Sequence, residues 1–155
     1  MAAPTIRPLV TVVDGRYHVD EGTALWLAQR TRPFSVLACA GKFRTGKSFL
    51  LNRLLDRPAG KGFGVGETVQ ACTRGIWLCT EMMTSPEGHD VLVLDTEGID
   101  ALDAESQHDV RIVAIAVLVC SAFAYNATSH LDEAAVQTLS LMTKISQALE
   151  GGGHH

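Results

Sequence analysis

Basic charge is scarce in this chain of 155 residues. Thirteen lysines and arginines face seventeen aspartates and glutamates, a net charge of −4 with the histidines neutral. A general nucleic-acid binder would carry a basic surface, so no nucleic-acid partner is expected. Cysteine is sparse too. Cys39, Cys72, Cys79 and Cys120 contain no C-x-x-C pair, which argues against a zinc site or a disulfide framework. Buried free thiols in a reducing, cytoplasmic setting are the expectation instead. Residues 1–8 include no apolar stretch of the kind a secretory leader needs. The longest apolar run, 112–125, is broken only by Ser121 and is too short to span a bilayer. There is no internal repeat and no linker that would split the chain. What remains is 46% hydrophobic and 19% charged, the composition of one globular domain large enough to bury a core. That domain is expected over 1–150, with Gly151-Gly152-Gly153-His154-His155 set aside as a linker and tag remnant.

Against this background one segment stands out. Gly41-Lys42-Phe43-Arg44-Thr45-Gly46-Lys47-Ser48 fits G-x-x-x-x-G-K-[ST] without a mismatch. Glycines at those places let backbone N–H groups turn inward around phosphate oxygens. Lys47 can then reach the β- and γ-phosphates, and the Ser48 hydroxyl can ligate Mg²⁺. The run 34–40 reads as a buried strand entering the loop, and the residues after Ser48, beginning with Phe49, read as the helix leaving it. The positive end of that helix would face the phosphates.

Other elements follow from periodicity and turn residues. Short strands are expected over 9–13 and 17–19, joined by a turn at Asp14-Gly15-Arg16. A helix over 21–30 is capped by Asp20 and ends before Pro33. The loop-following helix runs from 47 to about 56, and 57–67 is a glycine-rich loop. Strands at 73–80 and 91–95 flank a hairpin containing Pro86 and Gly88. A polar loop covers 98–109, and the apolar run after it suggests a buried central strand around 112–123. The last helix, 132–149, carries a stripe of Leu131, Ala135, Leu139, Met142, Ile145 and Leu149, read as core packing. Strands alternating with helices indicate a three-layer α/β domain with a mainly parallel sheet.

A second motif completes the site. Val91-Leu92-Val93-Leu94-Asp95-Thr96-Glu97-Gly98 is a buried strand delivering a carboxylate to its C-terminal edge, where open α/β sheets bind nucleotides. Asp95 is placed to hold Mg²⁺ through water. The Gly98 backbone N–H is placed to contact a γ-phosphate. Thr68 and Thr73, in the loop between the motifs, are both candidates to complete the metal's coordination. Spacing alone does not choose between them. Arg44 is open to two readings, a solvated loop arginine or a guanidinium that swings onto the transferred phosphoryl group as an arginine finger.

Together, GKFRTGKSFLLNRLL, GFGVGETVQACTRGIW, VLVLDTEGID and AVLVCSAFAYN resemble the guanylate-binding protein family. These are dynamin-related large GTPases, more distantly related to the atlastins. The resemblance covers roughly 9–148. It implies a P-loop NTPase fold and the N-terminal portion of a GTPase (G) domain. By that resemblance Arg44 matches an in-loop arginine finger, Lys47 a phosphate lysine and Ser48 a Mg²⁺ ligand. Thr73 matches the switch threonine on the metal, so it outranks Thr68. Asp95 matches the metal-linked aspartate, and Glu97 a glutamate that organises the catalytic water. Asp109 aligns loosely with an acid that matters when hydrolysis is coupled to dimerisation. Gly41, Phe43, Thr45, Gly46, Phe49 and Gly98 complete the nucleotide-binding set.

Two departures qualify this. Ala71 stands where the family often has a proton-relaying serine, two residues before the switch threonine. The family's guanine-reading R-D dipeptide has no counterpart here, and no N-K-x-D pattern occurs, so an incomplete G domain is expected. The function implied is Mg²⁺-dependent GTP binding and hydrolysis to GDP, with homodimerisation through the G domain and membrane association of a longer protein. The alternative is a nucleotide-dependent dimerising switch or scaffold with little hydrolysis. An ATPase or small-molecule kinase is a further alternative, though no arginine-rich lid is visible.

Overall fold

A computed structural model describes residues 6–42, 45–57, 62–64, 75–96, 107–127 and 133–151. The first strand, β1 (Ile6–Val13), turns through Asp14 and Gly15 into β2 (Arg16–Val19). Both turn residues have positive φ, 49° and 72°, the geometry that lets a two-residue hairpin follow strand twist. Pro8 has no N–H to give, and the β1–β4 register slips between Pro8 and Val10. Helix α1 (Glu21–Ala28) is capped as expected, with the Asp20 carboxylate accepting from the Thr23 N–H at 2.7 Å. It ends two residues early. Strand β3 (Phe34–Gly41) leads into the loop, and α2 (Lys47–Leu54) follows it. Strands β4 (Gly75–Thr84) and β5 (Asp90–Thr96) form the expected hairpin, closed by Gly88 N–H to Ser85 O at 2.9 Å.

The apolar run is where the expectation of a central strand fails. Residues 107–119 form a helix, α3 (Gln107–Val119), and only β6 (Ala122–Asn126) is a strand. An unbroken apolar run carries no period that separates the two structures. The fold decides it by burial: Ile112, Val113 and Ala116 lie on one side of α3 and are fully buried. Ser121 marks the break. Its N–H donates to Val36 O at 2.8 Å, and its hydroxyl accepts from the Val36 N–H at 3.1 Å. Helix α4 (Glu133–Gly151) packs on α3. The stripe is only partly inward: Ala135 is buried, whereas Leu139 is exposed, and Leu141 is the residue packed toward Ala40 and Val113. The helix also runs one residue into the tail set aside as a linker.

The six strands form one sheet in the order β2-β1-β4-β5-β3-β6. It is mixed rather than mainly parallel. Pairs β3–β5 and β3–β6 are parallel, while β1–β2, β1–β4 and β4–β5 are antiparallel. A hairpin tight enough to join β4 to β5 through Ser85–Gly88 can only produce antiparallel neighbours. Side-chain alternation splits the core into two faces. Ala38, Ile76, Leu78, Leu92 and Leu94 meet α1 and α3 through Trp26, Leu27, Ile112 and Ala116. Cys39, Cys79 and Val93 meet Leu51 of α2 on the other face. Helices therefore cover both faces, and the three-layer α/β architecture stands.

Candidate phosphate and metal site

Because β3, β5 and β6 run parallel, their C-terminal ends at Gly41, Thr96 and Asn126 lie at one edge of the sheet. The loop from β3 to α2 crosses that edge. Gly41 is required there for a reason the motif does not state. A Cβ on it would collide with the carbonyl oxygen of Asn126, its register partner on β6. Its φ of 154° and that close approach favour glycine. Gly46, at φ 82°, is the N-cap of α2 and provides no side-chain cap. The first-turn N–H groups of the helix thus face the loop side without a capping side chain, an arrangement suited to an anion.

Two described contacts within the loop converge on one carbonyl. Lys42 O accepts from Thr45 Oγ1 at 2.8 Å and from Lys47 Nζ at 3.1 Å. Lys47 is only 6% exposed, so its ammonium is held inside the loop and close to where phosphate would sit. Ser48, in the first turn of α2, donates its hydroxyl proton to Asp95 Oδ2 at 2.6 Å, a short bond of the charge-assisted kind. Asp95 is 4% exposed, and its second oxygen, Oδ1, is buried without a hydrogen-bond partner. Burial pushes the Asp95 carboxyl up to about 6, against the downward pull of the Ser48 hydroxyl and of Lys47. An orphaned carboxylate oxygen beside a serine hydroxyl is a hard, oxygen-only donor pair, which fits Mg²⁺. Among the described residues no three of His, Cys, Asp and Glu gather together.

Thr96 Oγ1 donates to Cys39 O at 3.1 Å, tying the end of β5 to β3 beneath the loop. The Cys39 thiol is pushed up to about 11, by burial first and by the nearby Asp95 second, so it is an inert core group. Phe49 lies in the first turn of α2 with its side chain 65% exposed. Asp109 falls in the first turn of α3. Phe43, Arg44, Thr68, Ala71, Thr73, Glu97 and Gly98 lie outside the described residues. Two contacts were not foreseen. Asn126 donates from Nδ2 to Thr45 O at 2.8 Å, and Asn52 makes two bonds to the Phe63 backbone, at 2.8 and 2.7 Å. The only hint of the first was a polar residue closing an apolar strand.

Comparison with known proteins agrees with this geometry. Residues 14–153 match the family model described as "Guanylate-binding protein, N-terminal domain". The chain is 36% identical over 143 residues to guanylate-binding protein 5 of Mus musculus, covering 91% of this chain and 24% of that protein. It is 35% identical over 142 residues to guanylate-binding protein 1 of Homo sapiens, with the same coverage of 91% and 24%. To guanylate-binding protein 3 of Mus musculus it is 41% identical over 125 residues, 79% of this chain and 20% of that one. The chain thus spans about a quarter or less of the length of these relatives. With a phosphate loop, a Ser48–Asp95 pair built on a buried carboxylate and a family match over nearly its whole length, the chain belongs to the guanylate-binding protein family, in the region of its N-terminal domain.

Proposed function

We propose that this chain binds GTP and hydrolyses it to GDP and phosphate in a Mg²⁺-dependent reaction. What carries the proposal is the Ser48–Asp95 pair, a 2.6 Å bond from the last residue of the phosphate loop, with the other carboxylate oxygen buried and without a hydrogen-bond partner. Guanine preference is taken from the relatives, which are named as guanylate-binding proteins. Mg²⁺, when bound by Ser48, Asp95 and Thr73, would neutralise charge building on the β- and γ-phosphate oxygens.

The remaining steps belong to the protein's own groups. Lys47 exchanges its bond to Lys42 O for the phosphates, a short swing for an ammonium already inside the loop. The N–H groups at the start of α2 add fixed positive potential. Arg44 acts as the in-loop arginine finger on the γ-phosphoryl group, Glu97 supports the attacking water, and Gly98 N–H contacts the γ-phosphate. These three roles rest on the sequence resemblance. Homodimerisation across the site presses Arg44 into place, and the longer protein works in the cytoplasm with membrane association.

A second reading has one specific support. Ala71 offers no hydroxyl where the family often relays a proton, which favours a dimerising switch with little turnover. Hydrolysis of GTP and ATP, followed across protein concentration for this chain and Arg44→Ala, separates the readings. GTP-selective turnover that rises with concentration and falls by about 10³-fold or more in the variant is expected, the size an arginine finger contributes. GTP binding without turnover in either protein would replace hydrolysis with the switch. Equal turnover of ATP and GTP would remove guanine selectivity.

A further inference from the structure

Besides the Ser48–Asp95 bond, one described contact ties the phosphate loop to the sheet through a side chain outside the phosphate-loop and acid-strand motifs. Asn126 ends β6, opposite Gly41 in the parallel register. Its Nδ2 donates to the Thr45 carbonyl at 2.8 Å and lies 3.3 Å from Thr45 Oγ1, which itself donates to Lys42 O at 2.8 Å. A carbonyl can only accept, so the amide nitrogen must be the end that faces it. The backbones are just as close, since any side chain at Gly41 would strike the Asn126 carbonyl. The end of β6 therefore meets the loop twice, through main chain at its start, Gly41, and through the Asn126 side chain in its second half, Thr45.

Peptide planarity turns that tie into a functional one. The Thr45 carbonyl and the Gly46 N–H belong to one trans peptide unit and point in opposite directions. Holding the carbonyl on Asn126 holds the Gly46 N–H on the other side, and Gly46 is the uncapped start of α2. We infer that Asn126 is a positioning residue, which sets the Gly46 N–H and the first turn of α2 in the orientation that receives a polyphosphate. It acts through Thr45 rather than on the ligand. This rests on the reading of the loop as a phosphate site.

Calorimetric titration with Mg²⁺ and GDP tests it, on the unaltered chain and on Asn126→Leu and Asn126→Asp. Leucine keeps roughly the volume without a donor, and aspartate keeps the shape but sets an acceptor against the Thr45 carbonyl. The expected result is a Kd weakened about tenfold by leucine, the effect of one hydrogen bond, and more by aspartate. Both variants should keep the native circular dichroism spectrum at the titration temperature. In amide spectra of the ligand-free variants, the Gly46 resonance should move while those of β2, at the far edge of the sheet, stay. Packing alone would leave GDP affinity intact in the leucine variant. Unchanged affinity there, with the unaltered chain still binding GDP, overturns the role of Asn126 and leaves the phosphate site standing. No binding by the unaltered chain overturns both. Should the variants fail to fold, the unaltered protein still decides: an Asn126 side-chain amide protected from exchange in the GDP complex supports the inference, and a freely exchanging one overturns it.

Discussion

At Asp95 folding and function pull in opposite directions. Burial raises its carboxyl from the ordinary 3.8 to about 6. The unfolded chain therefore releases this proton at lower pH than the native one does. Its contribution to stability is complete below pH 4, declines as pH rises through 6, and is lost above that. The shift corresponds to roughly 3 kcal/mol at neutral pH. Asp95→Asn should then stabilise the ligand-free protein at pH 7.5 by up to about 3 kcal/mol, with the advantage gone near pH 4. Urea unfolding at both pH values measures this, and a variant weaker than the native chain at pH 7.5 would contradict it. The same variant should lose any stabilisation by Mg²⁺ in the presence of GDP. A destabilised carboxylate kept in place is the usual mark of a site held for a ligand.

Helix α2 shows how an element is held at two points. Its start belongs to the phosphate loop, and its middle is anchored by Asn52, which gives Nδ2–H to Phe63 O and accepts from Phe63 N–H. Gly62 permits this approach, because a Cβ there would strike the Asn52 amide, and Phe63 is buried against Leu51. Asn52→Leu leaves two buried main-chain groups without partners and should cost about 2–4 kcal/mol in chemical unfolding. Arg53→Ala, one residue along on the exposed face, should change stability by no more than about 0.5 kcal/mol. A similar loss in both would mean the Phe63 anchor has no special role. Elements with their own punctuation were legible in advance: Asp20 capping α1, Asp14-Gly15 turning β1 into β2, and Gly46-Lys47 opening α2. The run 112–125 was not, because hydrophobicity without a polar interval fits a helix and a buried strand equally well. Only docking against Ala38 and Leu94 made 107–119 helical.

Across the described sheet, the parallel half carries the site, and both halves supply core. Strand β3 stands between β5 and β6 and leads directly into the loop. A ligand on that loop is thus coupled to the middle of the cooperative unit, and its binding energy should appear as global stability. At a hundred times its Kd, GDP with Mg²⁺ should stabilise the fold by about 2.7 kcal/mol, read as a raised unfolding midpoint. ADP should raise it less, and Lys47→Ala should abolish the gain. A midpoint that ignores GDP at millimolar concentration would argue against nucleotide binding by this chain.

The amino-acid order alone was enough for the phosphate loop, the acid-ending strand and the α/β class, because each is written in contiguous residues whose spacing carries the chemistry. Ser48 and Asp95, forty-seven positions apart, were each expected at the metal from motif logic, but their direct hydrogen bond, the orphaned Oδ1 and the raised carboxyl arise from packing and burial. Strand order, the mixed character of the sheet and the grip of Asn126 on Thr45 depend on contacts between distant segments, up to eighty-five positions apart. No local pattern encodes such contacts, since hydrogen-bond partners across a sheet are chosen by packing and register rather than by sequence neighbours.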